Sequence, residues 1–160
     1  MAVCVAAAGM SVTAGSLQAT HAKDRPRHEL IPNWTGIIDT TDHCYYAVPP
    51  NWTVDDRPSV DALAAAPNGN ATAELNWTAF SSWAAHASHV REMLKPTIVH
   101  EDTSLSFWVE YAAGWSGVHY YAAVPATTGA CALRIDLNEK ADDSLRATVR
   151  DIIRSVAAIR

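Results

Sequence analysis

The sequence predicts an α+β domain, a mainly antiparallel sheet carrying two amphipathic helices. Three observations predict it: alternating apolar stretches of strand length recur, two longer stretches switch to helical period, and the connections between strands are of hairpin length. At 160 residues, 49% hydrophobic, 18% charged and with a net charge of −5, the chain is long enough to bury one core of its own. The acidic balance excludes a broad basic footprint, so no nucleic-acid partner is expected. No apolar run reaches the ~18 residues that a membrane-spanning helix needs, so no transmembrane segment is expected in the mature chain.

Residues 1–22 hold no Lys, Arg, Asp or Glu and open on the apolar and small stretch Met1 to Val12. They read as a signal peptide or its remnant lacking the positive leading region, or else as a short core helix. Cleavage would remove Cys4 and leave one pair, Cys44 and Cys131, which suits a disulfide in an exported protein, periplasmic or extracellular and of bacterial origin. Two buried thiols are the plainer alternative. Residues 23–39 mix charge, two prolines and a glycine without periodicity and read as a linker, so that a single domain spans 40–160.

In that domain His43 to Val48 alternates, with Cys44, Tyr46 and Val48 on one side, until Pro49-Pro50-Asn51 stops it. Val60 to Ala66 and Ala71 to Thr78 flank Pro67-Asn68-Gly69-Asn70, where Asn-Gly signals a hairpin because both residues tolerate positive φ. Phe80, Trp83, Ala87, Val90 and Leu94 then form one helical stripe that Pro96 should end. Strands are expected at about 97–101, 105–111, 118–124 and 130–137. Asp142 or Asp143 can cap a last helix striped by Leu145, Val149, Ile152, Val156 and Ile159. The pleat puts Leu105, Phe107, Val109 and Tyr111 on one face, as it does Val118, Tyr120, Ala122 and Val124, and Cys131, Leu133, Ile135 and Leu137. Both cysteines then project from apolar faces, as a bridge between neighbouring strands would need. The opposite faces carry Tyr45, Trp108, Glu110, His119, Tyr121, Arg134 and Asp136.

The stretch Cys44 to Val54, CYYAVPPNWTV, resembles the strand, Val-Pro, Asn, Trp opening of PsbP-like domains, and the order of hairpin, central helix, further strands and closing helix over about 40–160 is similar too. That family includes an extrinsic photosystem II subunit and a nuclear-transport factor that binds the GTPase Ran. The resemblance implies an α/β/α sandwich serving as a binding or assembly module without catalysis or cofactor. No motif for Ran or photosystem contact accompanies it, so neither partner carries over, and the expected partner is another protein or an envelope component.

Six tryptophans in 160 residues suggest a recognition surface, and Trp108, Trp115 and Tyr121, with His119 and Arg134, are the expected contacts. The plainer reading is that the first helix covers them. Catalysis has a weaker constellation in Glu110, His119 and Asp136, which a hydrolase would need in one cleft. A small-ligand or metal carrier would use His86, His89 and His100, but helical geometry puts His86 at the edge of the apolar stripe and His89 toward water. Arg146, Arg150 and Arg154 recur every four residues on the last helix, with Asp142 and Asp151 placed to neutralise Arg146 and Arg154. Gly-rich phosphate loops and the Gly-x-Ser-x-Gly elbow are both absent from the sequence.

Overall fold

A computed structural model describes residues 33–39, 41, 43–55, 62–114 and 116–159. The expected signal peptide at 1–22, most of the expected linker and Trp115 lie outside them. The elements run β1 (Thr35–Ile38), β2 (Cys44–Val48), β3 (Thr53–Asp55), β4 (Leu63–Ala65), β5 (Ala71–Ala79), α1 (Trp83–Leu94), β6 (Ile98–Asp102), β7 (Phe107–Tyr111), β8 (Val118–Ala126), β9 (Gly129–Leu137), α2 (Asp143–Ser155) and β10 (Ala157–Ala158). Seven strands form one sheet in the order β3-β4-β5-β9-β8-β7-β6, and β1-β2-β10 form a second. Every pairing is antiparallel.

The large sheet is built outward from its longest strands. In β5, Ala71, Ala73 and Leu75 are buried while Thr72, Glu74 and Asn76 alternate with them. This strand pairs along its whole length with β9, and β9 with β8. The Asn-Gly hairpin forms between β4 and β5, with Gly69 at φ 65° and Ala66 N–H donating to Ala71 C=O (2.9 Å). Only glycine fits at 117, where φ is 129° and a Cβ would stand 2.1 Å from the Leu137 carbonyl oxygen.

One core lies between the large sheet and a layer made of the small sheet and α2. It joins Tyr46 and Val48 to Leu75, Leu133, Ile135 and Leu137, and to Val149, Ile152 and Ile153 of α2. Fully burying an aliphatic side chain of this size stabilises by about 1.5–3 kcal/mol. Tyr46 is wholly buried, and its hydroxyl donates to Ala62 C=O (2.8 Å), so its one polar atom is satisfied. The Cys44–Cys131 disulfide lies in this core with Cα atoms 5.4 Å apart. It joins β2 to β9 and so ties one sheet to the other, whereas the sequence suggested neighbouring strands.

Two ends differ from expectation. Thr35–Ile38, read as linker, pairs with β2, and Gly36 leaves room for the Tyr45 ring, which a Cβ would meet at 2.7 Å. The last helix, capped by Asp142 accepting from Leu145 N–H (2.8 Å), stops at Ser155 although its apolar stripe runs on. The Ser155 hydroxyl accepts from Ala47 N–H (2.8 Å), and Ala157–Ala158 then pair with Tyr45 and Cys44 as β10. The open edge of β2 thus takes the chain from the helix.

The opposite side of the large sheet carries α1 over a second, smaller cluster of Ala87, Val90, Phe107 and Val109. Ser82 caps the helix by accepting from Ala85 N–H, and Lys95 ends it in the left-handed conformation, just before Pro96. Trp83 Nε1 donates to Thr103 C=O (2.8 Å), and Arg91 pairs with Asp102 while lying 5.4 Å from the Phe107 ring centre.

Candidate functional site

The register of β7 decides which candidate residues meet. Tyr111 pairs with His119, Val109 with Tyr121 and Glu110 with Tyr120, so Phe107, Val109 and Tyr111 share a face with His119 and Tyr121. The sequence reading groups that apolar set with Tyr120 and Ala122 instead. Alternation marks a strand but not which face joins its neighbour's, and here apolar residues are buried on both sides because α1 covers one. Trp108 and Glu110 therefore face the α2 layer while His119, Tyr121, Arg134 and Asp136 face the α1 layer. The expected contact surface is divided in two. The hydrolase constellation fails for the same reason, since Glu110 lies across the sheet from His119 and Asp136.

On the face that α1 partly covers, the sheet carries two cross-strand rows, Tyr111–His119–Asp136–Thr72 and Tyr121–Arg134–Glu74. His119 is fully buried, and its Nδ1 donates to Asp136 Oδ1 (2.7 Å). Arg134 reaches the same carboxylate with NH2 at 3.1 Å of Oδ2, and its side chain remains 45% exposed. Burial raises Tyr111 above the usual phenol range, against the opposing pull of the adjacent Arg134 guanidinium. The result is a polar, mutually braced patch whose outward donors belong to Arg134 and Tyr111. Tyr111 is a residue that alternation alone assigns to the core.

Tyr121 belongs to the covered part of that face. It packs against the α1 cluster and shares a 3.1 Å hydrogen bond with His86 Nε2. His86 is itself buried, with Phe80 and Trp83 against its ring, and burial followed by the His89 charge lowers it to about 4. It is thus a neutral packing residue. His89 is exposed on α1 and His100 lies on the other side of the sheet, so the three histidines are not brought together. Among the described residues no three His, Cys, Asp or Glu stand close enough to hold a metal ion.

On the α2 side, a bulge in β6 leaves His100 without a ladder partner, because Val99 pairs with Val109 and Glu101 with Trp108. The bulge lays the His100 ring on Trp108 (centroids 4.3 Å) and brings its Nε2 within 2.7 Å of Glu110 Oε1. It also turns Asp102 toward Arg91, which secures α1. No sequence signal marks such a bulge. Along this edge of the sheet Ile98, Val99 and Leu105, with Met93 of α1, are exposed apolar residues, and of these Leu105 is one that the sequence pattern groups with an apolar strand face.

No family model matches the sequence, and no curated protein matches it. The structure is similar to that of the cyanobacterial PsbP protein CyanoP from Synechocystis sp. PCC 6803, with a TM-score of 0.54 and 9% identity, over 79% of this chain and 93% of that one. At that identity the likeness is one of fold. The chain has a PsbP-like α+β fold, with helices on both faces of a mainly antiparallel sheet.

Proposed function

We propose that this protein is an exported, non-catalytic binding or assembly module that contacts another protein or an envelope component through the part of its large sheet that α1 leaves open. The observation that carries this reading is the His119–Asp136–Arg134 network: its hydrogen bonds hold a partly exposed guanidinium across two paired strands, with Tyr111 paired to His119 beside it, as a preformed contact surface requires. Arg134 and Tyr111 make the contacts, His119 and Asp136 position them, and Tyr121 links the patch to α1. Trp115, between β7 and β8 in the sequence, lies outside the described residues and remains part of the proposed surface on sequence grounds.

The disulfide supports export, because such bonds persist in oxidising compartments. Residues 1–22, free of Lys, Arg, Asp and Glu and opening on an apolar and small stretch, support it independently, and we place the protein in a bacterial periplasm or outside the cell. A photo-crosslinking amino acid in place of Arg134, compared with one in place of Arg154 on the outer side of α2, tests the contact surface in intact cells. A discrete adduct from position 134 and none from position 154 is expected. Adducts from position 154 alone would place the contact elsewhere and overturn the reading.

A further inference from the structure

Helix α1 is fastened to the sheet more lightly than α2. It buries His86, Ala87 and Val90, where α2 buries Val149, Ile152 and Ile153. Its polar ties, Trp83 Nε1 to Thr103 C=O and Arg91 to Asp102, are exposed. A further anchor is His86, 1% exposed, whose Nε2 shares the 3.1 Å hydrogen bond with the Tyr121 hydroxyl. Phe80 stands edge-on to the imidazole at 4.4 Å and Trp83 stacks on it at 5.5 Å, both between ring centroids. The Nδ1 of that ring is buried with no hydrogen-bond partner among the described residues.

That setting suits a neutral ring and not a charged one. An imidazolium carries a proton on both nitrogens and needs two acceptors; the Tyr121 oxygen can serve one, and Nδ1 has none. The neighbouring charges offer no compensation. On α1 itself His89 opposes a second positive charge, Arg91 is held by Asp102, and Glu92 and Lys95 are exposed. The sheet presents the phenol of Tyr121 from β8, with that of Tyr111 from β7 near it. From β9 it presents Arg134, itself a cation, and Asp136, which His119 and Arg134 both engage. Glu74 of β5 accepts from Asn76 (3.4 Å), and Glu101 of β6 accepts from the Ser106 hydroxyl. Charging His86 therefore costs least when α1 leaves the sheet and water reaches the ring.

We propose that α1 is an acid-released cover: protonation of His86 frees the helix from β7 and β8 and uncovers Phe107, Val109 and Tyr121 beside the Arg134 patch. This stands or falls separately from the contact surface proposed above, since release is measured with no partner present. With His86 at its ordinary 6.5 in the freed helix and about 4 in the docked one, the opening equilibrium of α1 should rise about twentyfold from pH 7 to pH 5. The test is amide hydrogen exchange resolved by NMR and corrected for the intrinsic effect of pH, with the His86 ring carbon shifts followed in the same samples. The α1 amides should lose protection about twentyfold over that range, and low urea should accelerate them much less than the β9 amides, the mark of a local opening. The loss should disappear in His86→Gln, which keeps a hydrogen-bonding group for Tyr121, and in His86→Phe, which keeps a ring between Phe80 and Trp83. Near-ultraviolet circular dichroism at pH 7 establishes which variant is folded. Protection of α1 that does not change with pH, α1 amides that open only together with β9, or an undiminished pH effect in a folded variant would each overturn the inference. So would a His86 ring in the unaltered protein that becomes charged near pH 6.5 while α1 stays protected.

Discussion

The disulfide is the strongest single constraint that the structure places on the unfolded chain, and breaking it gives the largest worked effect. Cys44 and Cys131 are 87 residues apart, a loop whose closure stabilises by about 4–5 kcal/mol in the chain-entropy account. Domains of this kind have about 5–15 kcal/mol in total, so the reduced protein should retain only part of its stability. Reduction also forces two separate thiols into a fully buried site, which adds to the loss. The assay is urea unfolding followed by tryptophan fluorescence, on oxidised protein and on protein reduced while denatured and then refolded in reductant. At a mid-range denaturant slope the midpoint falls by roughly 2 M. Because both sulfurs are buried, reductant added to the native protein should act only as fast as the protein opens. Coincident midpoints for the two forms, or thiols that alkylate in the native state without reductant, would refute the reasoning.

His86 gives stability a pH dependence whose sign follows from its lowered value. Above about pH 7 the imidazole is neutral in both states; as pH falls from 6.5 toward 4 the unfolded chain takes up the proton first, and stability drops by up to about 3 kcal/mol. Denaturant midpoints measured across that window should lose this slope in His86→Phe. Gly117→Ala should cost more than about 2 kcal/mol, since the new methyl meets the Leu137 carbonyl at a positive φ, whereas Gly114→Ala, with nothing within 4 Å, should change the melting temperature little. Asp142→Ala removes the α2 cap and should cost about 1 kcal/mol in the same melts.

Periodicity carried most of the fold. Trp83, Ala87 and Val90 locate the first helix, Val149 and Ile152 the second, and Asn68-Gly69 a hairpin, because each pattern is a local property of nearby residues. What failed was non-local. Thr35–Ile38 has no strand signature of its own and becomes one by pairing with β2, and Ala157–Ala158 leave the helical stripe because β2 has an edge to fill. The candidate site suffered most, since its composition depends on inter-strand register. The odd-numbered residues of β7 meet the odd-numbered residues of β8, which sends Trp108 and Tyr121 to opposite faces. His119, Asp136 and Arg134 were legible together because β8 and β9 form a hairpin with a short turn, where proximity in sequence fixes the register.

Oxidative footprinting by hydroxyl radicals tests the proposed contact surface most directly, applied to the protein in its cellular compartment and again after purification. The account predicts that Tyr111, beside the Arg134 guanidinium on the open sheet, is protected in place and becomes reactive when purified, while Met93, 66% exposed at the far end of α1, reacts equally in both. Protection of Met93 with Tyr111 unchanged would contradict it and move the contact to the apolar β6 edge.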